Sequence, residues 1–262
     1  MTSLIRLREY ALSFPVFHGS SRSLKKTLIR RARAPRVERG QVGGEMRSGA
    51  SEGDAIIVQA IAGLDLDIGP GERVGLIGHN GAGKSTLLRA LAGVYESGAG
   101  EMTVRGEVHA LLDAQAGMNP ELTGRENVHL FARGVRYSRA QTEELLRDVE
   151  AFAELGAFFE LPVRLYSSGM KIRLGFALAT AMRPEILLMD EWFMAGDQHF
   201  QDKARERLEG MIASADILVL TSHSLPVLRQ WCTRIVWLEA GRLRQDGPPG
   251  EVLDAYEASL AG

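Results

Sequence analysis

The stretch GLIGHNGAGKSTLLRALAG, Gly75 to Gly93, sets Gly75, Gly78, Gly81 and Gly83 ahead of a single lysine, Lys84, and then turns at once into leucines and alanines. A loop with so few side chains bares its backbone N–H groups, which converge on an anion when a helix follows. Gly78-His79-Asn80-Gly81-Ala82-Gly83-Lys84-Ser85-Thr86 fits the Gly-x-x-x-x-Gly-Lys-Ser/Thr spacing of a phosphate-binding P-loop. In that reading Lys84 carries a mobile charge over the outer phosphates, Ser85 is placed to ligate magnesium and Thr86 donates near the inner phosphate. The structural alternative is a glycine turn before an ordinary helix. The order of an apolar strand (Arg73 to Ile77), the loop and a helix (Ser85 to Leu91) is the context the motif requires, and it favours a nucleoside triphosphate site.

A P-loop also needs a carboxylate for magnesium at the end of a buried strand. Ile186-Leu187-Leu188-Met189-Asp190-Glu191 supplies an apolar strand ending in two acids. Asp190 is the candidate magnesium ligand, direct or through water. Glu191 points elsewhere and is the candidate for polarising the attacking water. A pair that merely marks a solvent-facing strand end is the alternative; the P-loop weighs against it.

Working outward, the 262 residues are 45% hydrophobic, enough for one large domain or a core with a smaller lobe. No run of about eighteen apolar residues appears, and Arg6 and Arg8 stand where a signal peptide needs an apolar core. Basic and acidic residues nearly cancel, 31 against 33, which disfavours a chain built around nucleic acid. The lone cysteine, Cys232, suits a reducing compartment and reads as a small hydrophobe.

Residues 1–53 form a distinct region: a strand-like start (Ile5, Leu7), aromatics, a basic run from Arg22 to Arg39, and the loop-like GQVGGEMRSGASEGD. AIIVQAI and GLDLDI read as two short strands. From Glu121 to about Ala181 helical patterns dominate (Gly124 to Arg133, Ser138 to Leu155, Met170 to Met182). Strands return at Glu185 to Asp190, Ile217 to Thr221 and Arg234 to Glu239, with helices at Gln201 to Ala213, Leu225 to Trp231 and Gly250 to Leu260. This alternation is that of a mostly parallel α/β sheet.

Tyr166-Ser167-Ser168-Gly169-Met170 lies at the entry of an apolar helix, ahead of Asp190-Glu191, and His223 lies two residues past the strand ending at Thr221. In this arrangement the sequence from about Asp54 onward resembles the nucleotide-binding subunit of an ATP-binding-cassette (ABC) transporter, YSSGM standing in place of that family's Leu-Ser-Gly-Gly-Gln signature. The resemblance implies a P-loop NTPase fold with a mixed, largely parallel RecA-like sheet, an antiparallel β-subdomain and a helical subdomain at about 121–181 within an ATPase domain of residues 54–262. It implies that Ser167 and Gly169 contact the γ-phosphate held by a second copy's P-loop. Physically this is sound, because a serine hydroxyl and N–H groups at a helix start make an anion site. It further implies that His223 orients Glu191 and water, and that Asp197 passes information between the two sites of a dimer. A helix cap (YSSGM, Asp197) and a structural hydrogen bonder (His223) are the bland readings of the same residues.

Two positions depart from the family. Where an aromatic stacks on adenine the nearest residue is Gln59, so that stacking is weaker or is supplied from the first 50 residues, as by Tyr10, Phe14 or Phe17, and the glutamine that joins magnesium to the membrane partner is taken as Gln115, although the spacing favours Ala114. Asn119-Pro120-Glu121-Leu122-Thr123-Gly124-Arg125-Glu126-Asn127, the Tyr-Ser-Ser form of the signature, and Met194-Ala195-Gly196-Asp197-x-x-Phe200 resemble the ATPases that export O-antigen, capsular polysaccharide and teichoic acid. That subgroup implies hydrolysis of ATP with magnesium, a homodimer, a separate polytopic membrane subunit that handles the glycolipid, and a peripheral place on the cytoplasmic face of the inner membrane. A short helix of that subunit is expected in a groove that includes Leu161-Pro162-Val163-Arg164. With the chain stopping at Gly262, no added carbohydrate-binding domain is expected. A small-molecule importer ATPase and a soluble ABC ATPase acting on nucleic acid or ribosomes are the other classes. The basic run has three readings: a solvated helix, a nucleic-acid arm, or an element touching anionic lipid headgroups.

Overall fold

The computed structural model of the chain describes residues 2–17, 46–48, 55–95, 98–112, 117–190 and 198–260. They divide into two compact units, Met1–Gly106 with Val219–Gly262, and Glu107–Leu218. The basic run from Arg22 to Arg39 lies outside the described residues.

The first unit opens with β1 (Leu4–Phe17), which lies inside a four-stranded antiparallel sheet of order β2-β3-β1-β5, where β2 is Met46–Ser48, β3 Ala55–Ile68 and β5 Ala99–Arg105. β1 pairs with β3 from Ile5↔Ile68 to Phe17↔Ala55 and with β5 on its other side. Ile5 and Leu7, and past a bulge Tyr10 and Leu12, are buried, a period-two pattern on either side of the bulge that marks a strand with one buried face. The two short strands expected at AIIVQAI and GLDLDI are one. Gly63 takes a positive φ of 65°, and the opposing strand bulges at Glu9, φ 47°, so the ladder kinks there without breaking.

A second sheet in this unit runs β10-β9-β4-β8, with β4 Arg73–Ile77, β8 Ile217–Thr221, β9 Arg234–Glu239 and β10 Arg242–Gly247. β4 and β9 are parallel, and β10 folds back antiparallel on β9. The apolar runs of β4, β8 and β9 are buried throughout their middles, as strands covered on both faces must be. Among the described residues, helices α1 (Lys84–Leu91), α6 (Leu225–Trp231) and α7 (Pro249–Leu260) complete the unit. Arg234 binds both carboxylate oxygens of Asp246, at 2.7 and 2.6 Å, and Glu72 at 2.8 Å, tying the starts of β4 and β9 to the end of β10. Cys232 is buried beside Gly75 of β4, and burial pushes its thiol up to about 12.

In the second unit β6 (Val108–Leu111) runs parallel to β7 (Ile186–Asp190). Four helices follow in chain order, α2 (Gly124–Gly134), α3 (Arg139–Ala153), α4 (Ser168–Ala179) and α5 (Gln198–Ser214), with 3-10 turns at Gly156–Glu160 and Val163–Leu165. Capping boxes start α2 (Thr123 with Glu126) and α3 (Ser138 with Gln141), each satisfying two otherwise orphaned amides. β2, β5, β6 and β10 are strands that the sequence pattern did not single out, and β2 lies within the stretch read as loop.

Asn127, buried on α2, fastens the loop ahead of its own helix. Its Oδ1 accepts from the Asn119 amide at 2.7 Å, and its Nδ2 donates to the carbonyls of Asn119 and Thr123 at 3.0 and 2.8 Å. Replacing it with leucine, Asn127→Leu, strands those backbone groups out of water. We expect a loss of about 2 kcal/mol or more, measured by urea unfolding, against less than about 0.5 kcal/mol for substitution of an exposed residue.

Candidate nucleotide site and signature

The loop from Gly78 to Gly83 leaves the buried strand β4 and enters α1, and two of its glycines admit nothing larger. A methyl group on Gly78 (φ 141°) would stand 2.2 Å from the carbonyl oxygen of Leu238 on β9, and one on Gly83 (φ 104°) 2.6 Å from that of Ala60 on β3. The loop is thus pressed between two sheets of its own unit. The Lys84 ammonium is folded over it, 2.7 Å from the Gly78 carbonyl and 3.2 Å from that of His79, with the side chain almost wholly buried. No side chain caps α1. A helix start without a cap, next to a buried cation, suits the phosphates of a nucleotide. Ser85 and Thr86 are half-buried in the first turn of α1. His79 and Asn80 form the rim, where the imidazole Nδ1 lies 2.8 Å from the Asn80 carbonyl.

Sequence reading missed what supports this loop. Between β9 and β10, Ala240 and Gly241 both take positive φ, 49° and 78°. The Gly241 amide donates to the carbonyl of Ala82 in the loop at 3.0 Å, and its own carbonyl accepts from Ala62 at 2.9 Å. The available signal was a glycine directly after the apolar run of β9, a turn marker. On the other side of β4 its neighbour β8 leads to His223, which is exposed.

The second unit holds the signature and Asp190. Ser167 caps α4, its hydroxyl accepting from the Met170 amide at 3.3 Å, so the helix begins at Ser168, two residues ahead of the expected start. Ser167 and Ser168 are exposed, Gly169 and Met170 half-exposed. Tyr166 is different: it is buried, and its hydroxyl donates to the Phe158 carbonyl at 2.8 Å. The loop 119–127 grips the chain just ahead of the signature, since Val163 and Arg164 donate to the carbonyls of Leu122 and Pro120 at 2.9 and 2.8 Å. A methyl on Gly124 would meet the Tyr166 hydroxyl at 2.6 Å. Asp190 is the partly buried last residue of β7. Glu191, Asp197 and Gln115 lie outside the described residues.

Of the proposed base-stacking aromatics, Tyr10 is 1% exposed and belongs to the core; this placement overrules it as a platform. Phe14 is half-buried near the end of β1, edge-on to Tyr95 with ring centroids 5.0 Å apart. Gln59 sits on β3 opposite Ser13.

The family model described as ABC transporter matches residues 61–194. The O-antigen export system ATP-binding protein RfbE of Yersinia enterocolitica is 42% identical over 246 residues, covering 94% of this chain and 98% of that protein. The chain belongs to the ABC transporter family. The teichoic acids export ATP-binding protein TagH of Lactococcus lactis is 37% identical over 198 residues, covering 76% of this chain and 42% of that protein. Among solved structures, the ATP-binding cassette MJ0796, dimeric in a post-hydrolysis state with ADP and Pi, superposes with a TM-score of 0.63 at 20% identity, covering 94% of this chain and 98% of that one. That likeness shows the ABC ATP-binding fold: a mixed sheet with parallel strands, an antiparallel sheet, and helices.

In this ABC chain the signature helix is also held from behind. His109 on β6 places Nε2 2.7 Å from the carbonyl of Ala179 at the end of α4, so Nε2 carries the proton. Burial holds the imidazole below its ordinary value of 6.5, although the Ala179 carbonyl and Glu107 pull the other way. The sign follows from linkage: the unfolded chain takes up a proton near pH 6.5 and the folded one does not. The stabilisation by neutral His109 is therefore complete above about pH 6.5 and is lost as the pH falls from there towards the folded value. His109→Gln, which keeps a donor for Ala179, should flatten the slope of melting temperature against pH in that window and leave it unchanged above about pH 7.

Proposed function

We propose that this chain is the ATP-hydrolysing subunit of an exporter that moves a lipid-linked polysaccharide across the cytoplasmic membrane. One observation carries the reading: the similarity to the Yersinia O-antigen export ATP-binding protein runs over nearly the whole length of both chains. The site supports it, because the P-loop, Lys84 and the exposed start of α4 provide the two halves of a phosphate site.

In this reading two copies face each other, and the P-loop of each closes on the other's Ser167 to Gly169. Backbone amides at 78–86 and Lys84 would hold the phosphates, and Ser85 and Asp190 would hold magnesium, which would neutralise charge that builds up on the leaving phosphate. Gln115 is the third proposed ligand. Glu191 takes a proton from water as the water oxygen bonds to the γ-phosphorus and the bond to the ADP oxygen breaks, while His223 keeps that water and Glu191 aligned. Asp197 links the two sites, and with Tyr10 in the core, Phe14 or Phe17 is left to meet the base.

Work leaves through a separate membrane subunit. Among the described residues no helix is long and apolar enough to cross a membrane. Phe158, Leu161 and Leu165, 47%, 40% and 54% exposed just ahead of the signature, offer that subunit an apolar surface. The basic run from Arg22 to Arg39 is assigned to anionic headgroups beside it.

Glu191→Gln removes the base but keeps size and hydrogen bonding. Steady-state hydrolysis in the assembled transporter should fall by roughly a hundredfold or more, with nucleotide still bound; a near-normal rate refutes the assignment. Ser167→Arg drives bulk and charge into the facing phosphate site. Sedimentation should show ATP-driven dimers of the Glu191→Gln chain disappearing when Ser167→Arg is added, and their persistence would rule out a shared site.

A further inference from the structure

Phe200 belongs to the motif that runs from Met194 to Phe200, yet the nucleotide chemistry gives it nothing to do. It is 1% exposed in the first turn of α5. Its ring meets Phe176 of α4 edge-on, centroids 5.8 Å apart, and Phe152 of α3 edge-on at 5.6 Å. Phe152 and Phe176 stack on each other at 5.6 Å and 11°. Three helices far apart in sequence thus meet through three rings.

Cations cover the outer faces. Arg173 of α4 lies 4.9 Å from the Phe200 centroid, and Lys203 and Arg207 of α5 lie 4.9 and 4.4 Å from that of Phe152. Glu154, the left-handed residue that ends α3, binds Lys203 at 2.6 Å and Arg173 at 3.6 Å, so one carboxylate bridges all three helices. Arg207 pairs with Asp148 of α3 and reaches the carbonyls of Thr180 and Ala177 at 3.3 and 3.4 Å. Together with His109 on Ala179, these donors occupy the negative end of the α4 dipole.

Leucine would keep this core apolar, at the cost of a small cavity. What a leucine lacks is the ring face that holds Arg173, a side chain of the signature helix whose charge is also paired to α3. The arrangement fixes α4 against sliding and tilting. Ser167 lies nine residues before Phe176, about 14 Å along the helix, so a small tilt at the cluster becomes a large displacement at the signature. A shift of about 1 Å is enough to cost an anion site most of its effect.

We propose that Phe200 is the positioning residue of the signature: by clamping α4 to α3 and α5 it sets where Ser167, Ser168 and Gly169 stand, without meeting nucleotide itself. The proposal rests on the shared-site reading given above. The test uses the full chain carrying Glu191→Gln, with ATP and magnesium, and measures the dimer dissociation constant by sedimentation and the ATP affinity of the monomer by calorimetry. Phe200→Leu should weaken the dimer roughly tenfold and leave monomer affinity within about twofold. Arg173→Met, which opens no cavity, should act in the same direction by about threefold and covers the case in which the leucine variant does not fold. Added to Ser167→Ala, Phe200→Leu should weaken the dimer by less than about twofold more, because the contact it positions is already gone. Leu208→Ala, a cavity on α5 beyond the rings, should lower the melting temperature and leave the dimer constant alone. Full additivity with Ser167→Ala, or an equal loss in Leu208→Ala, overturns the proposal. A parent chain that forms no ATP-driven dimer overturns the shared site and this proposal together, whereas a parent that dimerises no better than Phe200→Leu and Arg173→Met overturns this proposal alone.

Discussion

The backbone of Gly78 lies so close to the Leu238 carbonyl that the 2.2 Å left for a methyl group excludes every side chain. Much of the first unit follows from that approach. β4 must deliver the loop at a fixed height beside β9, which the parallel register from Val74↔Arg234 to Ile77↔Trp237 provides. Beyond β9 the chain must turn at once, so that Gly241 can hold Ala82 from one side and Ala62 from the other. The antiparallel sheet then closes the remaining side, with the Ala60 carbonyl set against Gly83. A phosphate cradle is made of amides, and amides are aimed only by what lies behind them.

The second unit solves a different problem, the presentation of a helix start. α4 is apolar along its buried length, so its depth in the unit is set by burial, but burial alone leaves rotation and sliding poorly defined. Directional contacts at both ends remove that freedom. Ahead of Ser167 the loop 119–127 binds the backbone of Val163 and Arg164 and receives the Tyr166 ring against Gly124; behind it lie His109, Arg207 and the three rings. The stretch from Asn119 to Asn127, which in sequence marks only a subgroup, is in structural terms the seat of the signature.

What could be read from sequence was what is local in sequence. The P-loop, β4, β8, β9 and α6 are short segments whose apolar runs and bounding glycines or polar residues lie within a few positions, and their limits are those expected to within a residue. AIIVQAI and GLDLDI read as two strands on either side of Gly63, and their continuity as β3 shows only in the pairing with β1, which bulges near Glu9, more than fifty residues away. β5 and β10 are largely exposed and carry no apolar run, so nothing in their composition separates them from loops. In the site, the motif residues were legible and their supports were not: Gly241, Arg207 and His109 act on groups between 27 and 179 positions distant in the chain, and Tyr10 was misjudged because an aromatic on a strand declares its burial only through its neighbours.

Cys232 is packed behind β4, within reach of the strand that carries the nucleotide loop, and its thiol titrates near 12. At neutral pH the thiol is protonated and shielded from solvent, which makes it a poor target for electrophiles and peroxide. The sequence contains no other cysteine. A reporter thiol introduced on the surface can therefore be alkylated or cross-linked in the otherwise unaltered chain, so that spectroscopic probes follow opening and closing without a cysteine-less background that would disturb the packing beneath the nucleotide.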